Sequence, residues 1–133
     1  MIRLLVATVA VVFFFVSNAD ARPRHRNYDS GTIVSHPVGC PARAFCGCGA
    51  ALEVFGRHVR SLWLARNWFQ FPRTSPAPGM VAVRKHHVFV IRQVISHNTV
   101  LAYDANSGGR KTRIHIRSLS GFVVVNPHGG RHT

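Results

Sequence analysis

Acidic residues are nearly missing from this sequence. Four Asp and Glu stand against 17 Lys and Arg in 133 residues, a formal net charge of +13 with histidine neutral. That scarcity leaves very few carboxylates to orient a catalytic side chain, and it predicts a basic surface that favours anionic polymers. Long apolar runs are missing too. Leu4 to Val16 is almost wholly apolar but short of the ~20 residues a membrane-spanning helix needs. It follows a positive Met1-Ile2-Arg3 start and precedes the small-x-small triplet Ala19-Asp20-Ala21, so 1–21 reads as a signal peptide cleaved after Ala21. Cleavage removes Arg3 and Asp20, one charge of each sign, and leaves the balance unchanged. The expectation is a secreted or periplasmic protein with no transmembrane segment after signal cleavage. No aromatic-basic motif of a nucleic-acid module accompanies the charge, so no nucleic acid is expected as partner.

Cysteine is scarce and odd in number: Cys40, Cys46 and Cys48, all within Gly-Cys-Pro-Ala-Arg-Ala-Phe-Cys-Gly-Cys-Gly. An odd count leaves one thiol over from any disulfide framework. Cys46 and Cys48 are too close to pair comfortably within a helix, so a bridge, if one forms, joins Cys40 to one of them. Structural zinc wants two separated thiolate pairs, and no second pair exists, so no metal or cofactor is expected. The remaining chemistry is a thiolate nucleophile, which needs a helix N-terminus or cation to favour the anion, a histidine for its proton, and a polar group to orient that histidine. Cys46 stands at such a helix start. At ~100° per residue Cys48 would point away from it, which makes Cys40 the spare and Cys48 its candidate partner.

Neither internal repeats nor a second domain are visible. Residues 22–37 are polar and basic and read as a flexible arm; 38–133 form one small domain. Cys46 to Phe55 predicts a helix ending at Gly56, weakened by Gly47 and Gly49, which in return allow close backbone approach. Val59 to Phe69 has apolar spacing for a second helix, with Trp63 and Trp68 as core anchors. Pro72 to Gly79 holds three prolines and must be a loop. Beyond it come strand patterns over Met80–Val83, His87–Ile95, Val100–Tyr103, Thr112–Arg117 and Phe122–Val125. Helices followed by an antiparallel meander make an α+β fold, with N-terminal helices on a sheet of about five strands.

Of nine histidines, His87 has the best context, because His86-His87 opens the strongly apolar strand Val88-Phe89-Val90-Ile91. His115 competes from within a strand. His25, His36, His128 and His132 lie near the ends and read as solvated or capping residues. With Asp29 in the arm and Glu53 well along the helix, Asp104 is the carboxylate left to orient a histidine. It sits in Tyr-Asp-Ala-Asn-Ser-Gly-Gly, where Asp104 and Asn106 suit a hairpin turn as well as catalysis.

A Cys at a helix start, a Pro-Gly loop into a strand, His-Val opening the next strand and Asp-x-Asn one strand later resemble the CHAP family of cysteine, histidine-dependent amidohydrolases and peptidases, papain-like in fold and distantly related to NlpC-type cell-wall peptidases. The resemblance runs from about Cys46 to Pro127. It implies Cys46 as nucleophile, His87 as base, and Asp104 and Asn106 as the pair that orients the histidine and shapes the site. It also implies hydrolysis of amide bonds in peptidoglycan peptides by a secreted cysteine amidase or endopeptidase. The competing expectation is a non-catalytic secreted basic protein of the same fold that binds cell wall or another anionic partner.

Overall fold

The computed structural model describes residues 31–130. The expected signal peptide, 1–21, and most of the expected basic arm lie outside the described residues, as do 131–133. Among the described residues, one α-helix, two 3-10 segments and six strands make an α+β arrangement dominated by a single antiparallel sheet. Among the described residues no helix is long and apolar enough to cross a membrane.

The helix α1 spans Cys46–Phe55 and stops at Gly56, whose φ of 65° lets its N–H donate to the Leu52 carbonyl at 2.8 Å. Its glycines serve packing. A Cβ at Gly47 would collide with the carbonyl oxygens of Leu62 and Trp63, and one at Gly49 would collide with Ala105. Backbone has thus come as close to α1 as the two glycines permit. Gly47→Ala is therefore expected to destabilise the fold by about 1–3 kcal/mol, the usual cost of overpacking, although alanine is the better helix former. Urea denaturation measures this; a variant as stable as the parent would rule the close approach out.

The second helix predicted over Val59–Phe69 does not form. Two 3-10 segments, Arg60–Leu62 and Ala65–Gln70, flank an extended Leu64. The reason is competition for the Leu62 carbonyl, which packs against Gly47 and accepts the Trp68 Nε1–H at 2.8 Å instead of continuing a helical ladder. Trp68 is fully buried and anchors the core as its pattern suggested, but Trp63 does not: it lines a cleft.

The strands are β1 (Thr32–Val34), β2 (Val81–Arg84), β3 (His87–Ser96), β4 (Thr99–Asp104), β5 (Thr112–Ser118) and β6 (Val123–Val125), in the sheet order β1-β5-β4-β3-β2-β6. Strands β2 to β5 are the expected meander. Two placements correct the five-strand expectation. β6 returns to the free edge of β2 rather than extending past β5, and the end of the supposed arm pairs with β5 as β1, Thr32 opposite Ile114. A short strand in a polar segment has no apolar run to betray it.

Alternation along β2 and β3 gives the sheet two apolar faces. Val81, Val83, Val88 and Val90 pack beneath α1 with Ala50, Ala51, Leu62 and Trp68. Ala82, Phe89 and Ile91 face the other way, with Val100, Ala102 and Leu119. The start of β3 and the end of β4 lie side by side in antiparallel register, Val90 opposite Tyr103, and the N-terminus of α1 reaches this same end of the sheet. His87, Asp104 and Cys46 meet there.

Candidate active site

Cys46 is the first residue of α1 and the one free cysteine among the described residues, buried to 5% exposure. The residue before its N-cap, Ala44, holds a left-handed φ of 50°, turning the chain sharply into the helix. Cys40 and Cys48 are joined in a disulfide with Cα atoms 5.8 Å apart. The helical offset of Cys48 turns its sulfur from Cys46 toward the loop that carries Cys40. His58 Nδ1 lies 3.6 Å from Cys48 Sγ. Cys40, Cys48 and His58 form the only grouping with metal-ligand geometry among the described residues, and its two sulfurs are spent on each other.

His87 sits at the mouth of β3, 8% exposed, and its Nε2–H donates to Asp104 Oδ1 at 2.6 Å. Burial works against a charged imidazole here. It is outweighed by the hydrogen bond to Asp104, then by the hydrogen bond to Cys46 and the charges of both, so the pKa rises to about 9. Asp104 and Cys46 thus both favour the protonated form of the His87 imidazole.

Asp104, at the end of β4, has no exposed surface. Besides His87 it accepts His115 Nε2–H at 2.8 Å and Arg117 Nη1–H at 2.7 Å, both on Oδ2. Burial alone would raise its pKa. The His87 hydrogen bond and charge, the His115 hydrogen bond and the Arg117 charge prevail and hold the carboxyl below its ordinary value. His115 and Arg117 were not assigned this role by the sequence reading. The signal was present, though, in the alternation Arg113-Ile-His115-Ile-Arg117 on β5: the register sets Ala102 opposite His115 and Val100 opposite Arg117, on the face Asp104 shares.

Asn106 lies two residues past Asp104 in a left-handed turn, φ 58°. It lines the cleft but makes no hydrogen bond to His87 among the described contacts; the imidazole is oriented by Asp104. The cleft has a volume of about 300 Å³, with Cys46, Trp63, Leu64, Arg66, Lys85 and Asn106 among its walls. Cys46 thus stands in the wall of an open groove, with the His87 imidazole next to it and the Asp104 carboxylate buried behind the ring, an arrangement suited to acyl transfer through a thioester.

The raised His87 pKa has a pH consequence. Its folded value, about 9, lies above the unfolded 6.5, so the stabilisation is complete below pH 6.5 and is lost as pH rises through about 9. The expected loss is on the order of 3 kcal/mol. The same contact depresses Asp104, so it is counted once. Denaturation at constant ionic strength between pH 6 and 10 should show the decline, and His87→Gln should flatten it; an equal slope in the variant would assign the effect elsewhere.

No family model, no curated protein and no solved structure matches the chain.

Proposed function

We propose that this chain is a secreted papain-like cysteine amidase or endopeptidase of the CHAP type, acting on amide bonds of cell-wall peptidoglycan. The observation that carries the reading is the convergence of Cys46, His87 and Asp104, from three different elements, with Cys46 in the wall of an open cleft. Secretion and the choice of peptidoglycan follow from the signal-like N-terminus and the motif resemblance.

The Cys46 thiolate attacks the carbonyl carbon of the amide. The oxyanion that forms is held by backbone N–H groups of the first turn of α1, which lack intrahelical acceptors. The His87 imidazolium gives its proton to the departing amine, the C–N bond breaks, and the acyl group remains as a thioester. Water then attacks the thioester while the imidazole takes its proton. The carboxylic acid leaves, and the sulfur returns as thiolate beside imidazolium. Asp104 keeps the ring oriented and stabilises its charge throughout.

Incubating the protein with purified peptidoglycan and measuring new free amino groups tests the reading. Release should be stopped by alkylation of the single free thiol with iodoacetamide. Binding to peptidoglycan without amine release, before and after alkylation alike, would favour the non-catalytic alternative.

A further inference from the structure

A second, smaller cavity opens beside His87, about 230 Å³ in volume and lined by Arg84, His87, Asn106, Ser107, Gly108 and Arg117. It shares Asn106 with the Cys46 cleft, so the two cavities adjoin at that residue. Apart from Gly108, every wall residue carries a polar side chain. Three of them are basic, whereas the walls of the larger cleft add the apolar Trp63 and Leu64.

The charges around this cavity do not balance. Among the described residues the only carboxylates are Asp104 and Glu53. Glu53 is paired with Arg92 at 2.6 Å. Asp104 is fully buried beneath His87 and already accepts from His87, His115 and Arg117. Arg84 makes no ion pair among the described residues. It is exposed, ends β2 directly opposite His87 in the β2–β3 register, and is not hidden in packing. Its guanidinium lies 4.9 Å from the centre of the Phe122 ring, and that of Arg117 lies 5.6 Å from the same centre. One aromatic platform thus gathers two guanidinium groups next to a protonated imidazole, and like charges so gathered are stabilised by an anion between them.

We propose that this cavity is a carboxylate-binding subsite in which Arg84 is the principal contact, so that the preferred substrate carries a free carboxylate next to the bond cleaved. Its place in catalysis rests on the amidase reading; the subsite itself does not. Arg84 presents the planar donor fork that suits a carboxylate, Arg117 supports it from the Asp104 network, and the shared Asn106 wall sets the anion a short step from Cys46. For a cell-wall stem peptide this selects chains whose acidic side branch is free over chains in which it is amidated.

The test uses the full chain carrying Cys46→Ala, so that binding is read without turnover. Two synthetic stem tripeptides, alike except that one has a free side carboxylate and the other a carboxamide, are titrated calorimetrically. The carboxylate peptide should bind about 10- to 100-fold more tightly, the ratio expected for one charge-assisted hydrogen bond. Adding Arg84→Met should remove that preference and leave the Kd of the carboxamide peptide unchanged, with an unaltered thermal melt showing that the fold is intact. Equal affinities for the two peptides, an equal loss for both on Arg84→Met, or no saturable binding of either would overturn the subsite. Turnover by protein with Cys46 intact separates the two ideas. Hydrolysis of both peptides at equal kcat/KM sinks the subsite and leaves the amidase, whereas a retained binding preference with no hydrolysis sinks the amidase and leaves the subsite.

Discussion

Protein carrying Cys46→Ala is expected to release no new amines from peptidoglycan, a loss on the order of 10⁴-fold or more, while remaining folded. The magnitude follows from removing the nucleophile of a unit whose members act together. Stability should fall by only about 1 kcal/mol, because the substitution deletes one small, soft atom from the rim of a core whose mass is Trp68 and the valines of β2 and β3. A second readout separates loss of chemistry from loss of structure. Cys46 is one of two partners that raise the His87 pKa, so in the alanine variant the imidazole should titrate below its value of about 9 while its Asp104 bond persists. Histidine NMR shifts followed against pH report this directly. Full peptidoglycan hydrolysis by Cys46→Ala would end the proposal; lost hydrolysis with an unmoved His87 titration would mean that the sulfur and the imidazole do not communicate.

Asp104→Ala is expected to have the largest effect on stability, about 3–5 kcal/mol, because three buried or half-buried donors lose their acceptor at once. His115 suffers most: 6% exposed, with Nδ1 already unpartnered, its ring would have no hydrogen bond left among the described residues. Asp104→Asn should fall between. One oxygen still accepts, but the amide N–H₂ must face a donor, from either His87 or the His115–Arg117 pair. In both variants the His87 pKa drops and turnover should fall by about 10²–10⁴-fold, the span typical of a general acid–base group that has lost its orientation. Chemical denaturation with activity measured on the same samples would decide. An alanine variant within 1 kcal/mol of the parent would show that water replaces the carboxylate without cost and that the network is incidental.

The parts of the fold that sequence revealed are those governed by local rules. The α1 boundaries followed from Cys46 and Gly56, and the strands from β3 to β5 from alternation and their turns, because each depends on periodicity and on residues that end it. What failed depends on distant partners. Nothing within Val59–Phe69 says that the Leu62 carbonyl will be claimed by Trp68 and by close contact with Gly47, yet that choice divides a helix into two 3-10 segments. β1 exists only because β5 offers it an edge. At the site, residue types pointed to Cys46, His87 and Asp104. The division of labour between Asp104 and Asn106 depended on where the left-handed turn at Asn106 sends its side chain, and the roles of His115 and Arg117 depended on cross-strand register.

The bridge between Cys40 and Cys48 bears on how the chain is made. Three cysteines within nine positions allow three single-bridge isomers, and in only one of them does Cys46 keep its thiol. Oxidation during synthesis is therefore a partition between one form that keeps the Cys46 thiol and two that lose it. Correct pairing requires that α1 has formed, since the helix separates the two sulfurs that are nearest in sequence. Whatever slows α1, including loss of the Gly56 terminus or crowding at Gly47, shifts that partition toward the two isomers without a free Cys46. The yield of protein with a free Cys46 thiol should then track the order of helix formation and oxidation, and an isomerase present during synthesis should recover what premature oxidation loses.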